Sequence, residues 1–163
     1  MQHNILRAAD ERVGFVELFF DLVFVYAITQ ISHLLLHHYS LAAAAETLFL
    51  MLAVWWVWVY MTWVTNRLDP DRTAVRLLMF GLMTAGLFLS MSVPKAFEER
   101  GLAFALAYIV MQLGRTLFVG WSAAAAGQVR MARTYRHMVV WFLASAPFWV
   151  AGGLAHHEMR ALL

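Results

Sequence analysis

An all-α bundle of about five membrane-spanning helices is the fold class this sequence predicts, and three observations predict it. Apolar residues make up 63% of the 163 and charged residues 13%, against about 45–50% and about 25% in a soluble domain. A soluble chain of this length has too little interior to hide that much apolar surface from water. The apolar residues fall in five runs, roughly 14–36, 42–64, 76–93, 102–126 and 138–155, each near the ~17–25 residues a helix needs to cross hydrocarbon. Lysine and arginine gather in the short stretches between the runs, as membrane topology requires. Strands of a membrane barrel would alternate over about ten residues, and no such alternation is present. Residues 1–163 therefore read as a single transmembrane helical domain with the lipid bilayer as its first partner.

The connectors justify each element in order. The first span carries two acids and is too long for a signal-peptide core, and no small-residue cleavage site follows it, so it reads as a retained helix. His37–Ser40 closes it and leads into the second span. Asn66-Arg-Leu-Asp-Pro-Asp71 is a turn ahead of an acid-rich helix start, with Pro70 in the first turn. Ser92-Val-Pro94 ends the third span, because proline cannot donate the next helical bond. Gly101 opens the fourth. Gly127–His137 separates the fourth from the fifth, in which Pro147 is expected to introduce a kink that neighbouring helices can accommodate.

Orientation follows from the cations. Arg7, Arg12, Arg67, Arg72, Arg76, Arg130, Arg133 and Arg136 share one side, and Lys95, Arg100 and Arg160 the other. Eight against three predicts a cytoplasmic N-terminus and an external C-terminus in a multi-pass cell-membrane protein. An odd number of spans suggests either a missing remainder or completion by homo-oligomerisation. The net charge of +2 is too small to suggest nucleic acid as a partner. With no cysteine in the chain, disulfides and thiolate metal sites are excluded.

Charge inside the spans is the main functional signal, because a lone charged side chain at the centre of a membrane helix costs about 2.5–3.5 kcal/mol. Glu17 and Asp21 lie four apart on one face of the first span, with Phe24 and Ile28 extending the stripe and Gln30 further along. Two acids on one face can bind a cation, relay a proton or take two arginines, for which Arg115 and Arg67 are candidates. Asp21 falls roughly 10 Å into its span and Arg115 roughly 16 Å from the same side, at a rise of about 1.5 Å per residue. These depths overlap once helix ends are allowed to shift by about two to four residues. A buried Asp21–Arg115 ion pair is the expectation, with Glu17 and Arg67 extending the network. The competing readings are an Arg115 that reaches back to the headgroups and a Glu17 solvated in the first turn, where the helix dipole favours an acid.

Other features read as packing. Trp55, Trp56, Trp58, Tyr60 and Trp63 run through the middle of the second span as well as its interface; several are expected to pack between helices, with stacking on a quinone or retinal-like ligand the weaker alternative. No lysine lies within a span, so a Schiff-base pigment has no attachment point. Gly81, Thr84, Ala85, Gly86 and Ser90 permit close helix approach in the third span. His33, His37 and His38, like His156, His157 and Glu158, are too incomplete to predict a metal site. No cofactor is expected. No nucleotide loop, catalytic triad or zinc motif is present, so an enzyme is disfavoured.

Several of these motifs resemble a known family. Glu17-Leu-Phe-Phe-Asp-Leu-Val-Phe-Val-Tyr-Ala-Ile28, preceded by Arg12, resembles the first span of the bacterial low temperature requirement A (LtrA) membrane proteins. Trp55-Trp-Val-Trp-Val-Tyr-Met-Thr-Trp-Val-Thr-Asn-Arg-Leu-Asp-Pro-Asp71 is similar to that family's second span, and the spacing of Pro94, Phe97 and Phe104 through Arg115 to its third connector and fourth span. Members are typically more than twice this length and carry a later block with Arg-Phe-Gly and Leu-Gly-Glu elements that this chain lacks. The resemblance implies a helical membrane protein whose family name reflects growth in the cold rather than a reaction. Arg12 with Phe20-Asp21-Leu-Val-Phe24 is also similar to the first-span signature of TMEM175-type potassium channels, with Phe20 in place of a serine. That likeness implies an Asp21 that knits helices together beside a cation pathway. Together these readings predict transport or permeation of a small cation or proton, with a non-transporting scaffold or sensor, associating through the third span, as the alternative.

Overall fold

The computed structural model describes residues 15–37, 40–66, 68–69 and 72–155. Five long helices follow one another: α1 (Phe15–His37), α2 (Leu41–Thr65), α3 (Thr73–Ser92), α4 (Gly101–Ala125) and α5 (Val129–Leu154), with one 3-10 turn at Val93–Lys95 after α3. All five are long and apolar enough to cross a membrane. Neighbours run antiparallel, so the α2–α3 and α4–α5 turns lie at one end of the bundle and the α1–α2 and α3–α4 connectors at the other.

Each element has a local cause. Ser40 caps α2 by accepting from the Ala43 backbone N–H at 3.1 Å, which satisfies one of the donors a helix start leaves open. The α4–α5 turn depends on Gly127, whose φ of +70° lies in the left-handed region that glycine enters without steric cost. That turn lets the Gln128 N–H reach the Ala123 carbonyl at 2.9 Å, closing α4. Three residues then separate α4 from α5, and α5 begins nine residues before the fifth apolar run does. Arg130, Arg133 and Arg136 mark where hydrocarbon compatibility stops, not where the helix stops. Pro147 lies inside α5, which is one continuous helix on both sides of it.

The core is built from stripes at helical spacing. Phe20, Val23, Ala27 and Ile31 of α1, Leu50, Val54, Val57, Met61 and Val64 of α2, and Val75, Met79, Leu82 and Leu89 of α3 are all buried. α4 is the most enclosed helix, flanked closely by α3 and α5, whereas α5 has no buried residue. In lipid, close packing rather than water exclusion holds helices together. A Cβ on Gly86 would lie 2.9 Å from Val23 Cγ1 and 3.5 Å from Met111 Cε, so α1, α3 and α4 meet at that glycine. Where the start of α4 meets the end of α5, a Cβ on Gly153 would lie 2.9 Å from the Gly101 backbone. The tryptophans of α2 depart from expectation. Trp55, Trp56, Trp58 and Trp63 are exposed, because the inner face of α2 is taken by slimmer residues that let α1 approach.

Candidate functional site

The two intramembrane charges sit in different places. On α1, the stripe turned to the core is Phe20, Val23, Ala27 and Ile31, which leaves Asp21 on the flank facing α2. There the Trp58 indole N–H donates to Asp21 Oδ1 at 3.1 Å. Asp21 also lines a groove of about 310 Å³ between α1 and α2, together with Phe24, Ile28, Met51, Trp55 and Trp58. Phe24 and Ile28 thus stand beside Asp21 as their spacing requires. Gln30 does not line this groove: nine residues are about two and a half helical turns, which puts it on the opposite side of α1. Glu17 belongs to α1, but its side chain lies outside the described residues, as does Arg67.

Arg115 is fully buried on α4, at 1% exposure. Its Nη2 donates to the Gln112 side-chain oxygen. Its guanidinium carbon lies 4.8 Å from the Tyr60 ring centre on α2 and 5.9 Å from that of Phe142 on α5, inside the ~6 Å range over which an aromatic face attracts a cation. Gln112 passes the contact on by donating to the Tyr108 hydroxyl at 3.1 Å, and the Tyr108 ring stacks on Trp149 of α5 at 4.1 Å. Thr116 donates to the Gln112 carbonyl.

The expected Asp21–Arg115 ion pair is therefore replaced by two separate arrangements, with no salt bridge joining the two among the described residues. Helix order gives the reason. α4 packs on α3 and α5, while α1 packs on α2 and α3, and Asp21 faces outward toward α2 rather than inward toward α4. Arg115 does not reach back to the headgroups either, since it is enclosed by aromatic rings from α2 and α5.

The partners of Arg115 were missed in the sequence, although a signal was present. Tyr108, Gln112 and Arg115 follow at intervals of four and three, which places three polar groups on one face of an apolar helix. No sequence spacing could have shown that Tyr60 and Phe142 arrive from other helices. Of the histidines, His33 is exposed. The His37 side chain, His38, His156, His157 and Glu158 lie outside the described residues. Among the described residues no three histidine, aspartate or glutamate side chains gather as metal ligands would.

Five membrane-length helices with carboxylate and guanidinium groups inside them define a multi-pass helical membrane protein. The chain belongs to the bacterial low temperature requirement A protein (LtrA) family, which it matches over residues 12–163. It is 41% identical over 152 residues to the uncharacterized protein RA0937 of Rhizobium meliloti (strain 1021), an alignment that takes in 93% of this chain and 37% of the relative. The chain thus spans little more than a third of that relative's length. No solved structure matches it. The likeness of α1 to potassium channels is not part of the family match.

Proposed function

We propose that this chain serves transport or permeation of a small cation or proton, with Asp21 as the polar stop on the route along the α1–α2 groove. One observation carries the reading: Asp21 lies within a membrane-crossing helix, and its described partner is the neutral Trp58 indole rather than a cation. A carboxylate in lipid surroundings requires a proton, a partner charge or water. An indole N–H orients it without neutralising it. That leaves room for an exchangeable proton or metal cation to supply the missing charge, and acidic side chains favour cations over anions along a pathway. Trp55 and Trp58 line the same groove, and indole faces are the strongest aromatic attractors of cations. The proposed orientation keeps the arginine-rich end in the cytoplasm, eight cations against three, so that Asp21 lies toward the cytoplasmic side.

The test is ion flux into proteoliposomes, comparing potassium, sodium and protons, for the wild type and Asp21→Asn. Flux that is lost with the carboxylate supports the reading. Equal flux and equal thermal stability in the two proteins contradict it.

One observation favours a second reading, a non-transporting module that acts by helix association. α5 is 26 residues long without a buried residue, and Trp141 and Phe148 on it are 76% and 65% exposed. The third span is the weaker candidate for such contact, because Gly86 is already in contact with α1 and α4. This reading expects a stable oligomer and no flux in liposomes.

A further inference from the structure

Charge along α4 and α5 is one-sided. The first turns of α5 carry Arg130, Arg133 and Arg136. Neither α4, nor α5, nor α3 on the other flank of α4 has an aspartate or glutamate. Asp69, from the α2–α3 connector at the same end, pairs with Arg72 at 3.1 Å. Among the described residues, Arg133 and Arg136 have no hydrogen-bond or ion-pair partner. Arginine presents a planar fork of donors that fits a phosphate, and two arginines three apart share one face of a helix.

The same two arginines line a groove between helices. α4 and α5 touch where Gly120 meets Tyr135: a Cβ on that glycine would lie 3.2 Å from the Tyr135 Cβ. Beside this contact is a groove of about 560 Å³, lined by Leu117, Trp121 and Ala124 of α4 and by Arg133, Arg136 and Val139 of α5. That volume lies within the ~300–1,000 Å³ of small-molecule sites. The lining is graded along the helices. Toward the α4–α5 turn stand the arginines and Trp121, which is 68% exposed, as suits an indole at headgroup level. Deeper in, Leu117 and Val139 present only hydrocarbon. A ligand that matches both parts has a phosphate at one end and an apolar chain at the other. Free phosphate would use the arginines alone. A zwitterionic lipid would bring an amine into the field of three arginines, which an anionic lipid avoids.

We propose that the groove between α4 and α5, at the end where the two helices are joined, seats an anionic phospholipid, its phosphate held by Arg133 and Arg136 and an acyl chain lying along Leu117 and Val139. This site is separate from the α1–α2 groove and does not depend on the permeation reading. A lipid seated there ties α5, which has no buried residue, to α4.

The test uses the whole chain in detergent micelles. Thermal unfolding is followed as phosphatidylglycerol, phosphatidylcholine or inorganic phosphate is added at constant ionic strength. The expected result is a Tm that rises and saturates with phosphatidylglycerol, on the order of 5 °C at concentrations far above the dissociation constant, and moves little with the other two. Arg133→Gln and Arg136→Gln should each keep the lipid-free Tm, since both side chains are exposed. Each should raise the phosphatidylglycerol concentration needed for half the effect about fivefold. Arg130→Gln removes the same charge outside the groove and should shift that concentration less than either. Equal stabilisation by phosphatidylcholine or by inorganic phosphate overturns the proposal. So does a loss in Arg130→Gln as large as in the other two, which would mean diffuse charge rather than a site. A Tm indifferent to phosphatidylglycerol overturns it as well, and leaves the arginines to an acidic segment of a protein partner.

Discussion

Trp58 decides what kind of carboxylate Asp21 is. A hydrogen bond to a charged group contributes about 1.5–3 kcal/mol, and this one fixes the Asp21 side chain against α2 at 3.1 Å. Trp58→Phe keeps an aromatic ring in the α1–α2 groove and removes the donor. Such a protein is expected to fold with a Tm lowered by a few degrees and to carry altered ion selectivity, because the carboxylate gains rotamer freedom at the point where a cation would meet it. Thermal unfolding and a selectivity series in liposomes check both parts. The sequence made Asp21 and Arg115 conspicuous, since charge in an apolar run stands out by type alone. Their partners were not legible in the same way. Asp21 and Arg115 share a plausible depth, but whether two side chains meet depends on the order of helices around the bundle, and apolar stripes specify which face is inward without specifying which neighbour it meets. Tyr60 and Phe142 reach Arg115 from α2 and α5 through that ordering.

At the scale of elements, close contact between helices makes glycine positions informative. A Cβ on Gly153 would lie 2.9 Å from backbone atoms of Gly101 and Leu102, and backbone has no rotamer to move. Gly153→Ala is expected to pry apart α4 and α5 at that end and to cost about 1–3 kcal/mol, the usual range for overpacking. Gly81→Ala is the matched control. Nothing lies within 4 Å of the Cβ it would add, so its Tm should stay at or slightly above that of the wild type, since alanine is the better helix former. Equal losses from both substitutions would mean that the α4–α5 contact does not have this form. Helix boundaries were legible to within a few residues for four elements, because the apolar runs and the helices coincide there. α5 is the exception. Its first turns carry Arg130, Arg133 and Arg136, and a polar helical segment continuing out of the membrane is invisible to a reading based on hydropathy. The tryptophans of α2 also turned outward, which composition could not decide, since the same ring suits a helix interface and lipid equally well.

At the scale of the whole molecule, five spans leave α5 with an outer face that meets only lipid or another protein surface. The Rhizobium meliloti relative is longer than this chain: the alignment covers 37% of it. If α5 contacts further protein in a native assembly, a cysteine introduced at Trp141, which is 76% exposed, should label with a membrane-permeant thiol reagent more slowly in membranes than in detergent-dispersed monomers. Equal labelling rates would mean that lipid alone covers this helix. The absence of native cysteines makes the readout clean.

The proposed permeation route depends on the Asp21 carboxylate meeting a mobile positive charge. Flux of potassium, sodium and protons into proteoliposomes tests it most directly, with wild type beside Asp21→Asn and folding checked by thermal unfolding of each. Cation-selective flux is expected in the wild type and should fall at least about tenfold in Asp21→Asn, a variant that keeps an acceptor for Trp58 and loses only the charge. The same flux from both folded proteins, or none from either, would contradict it.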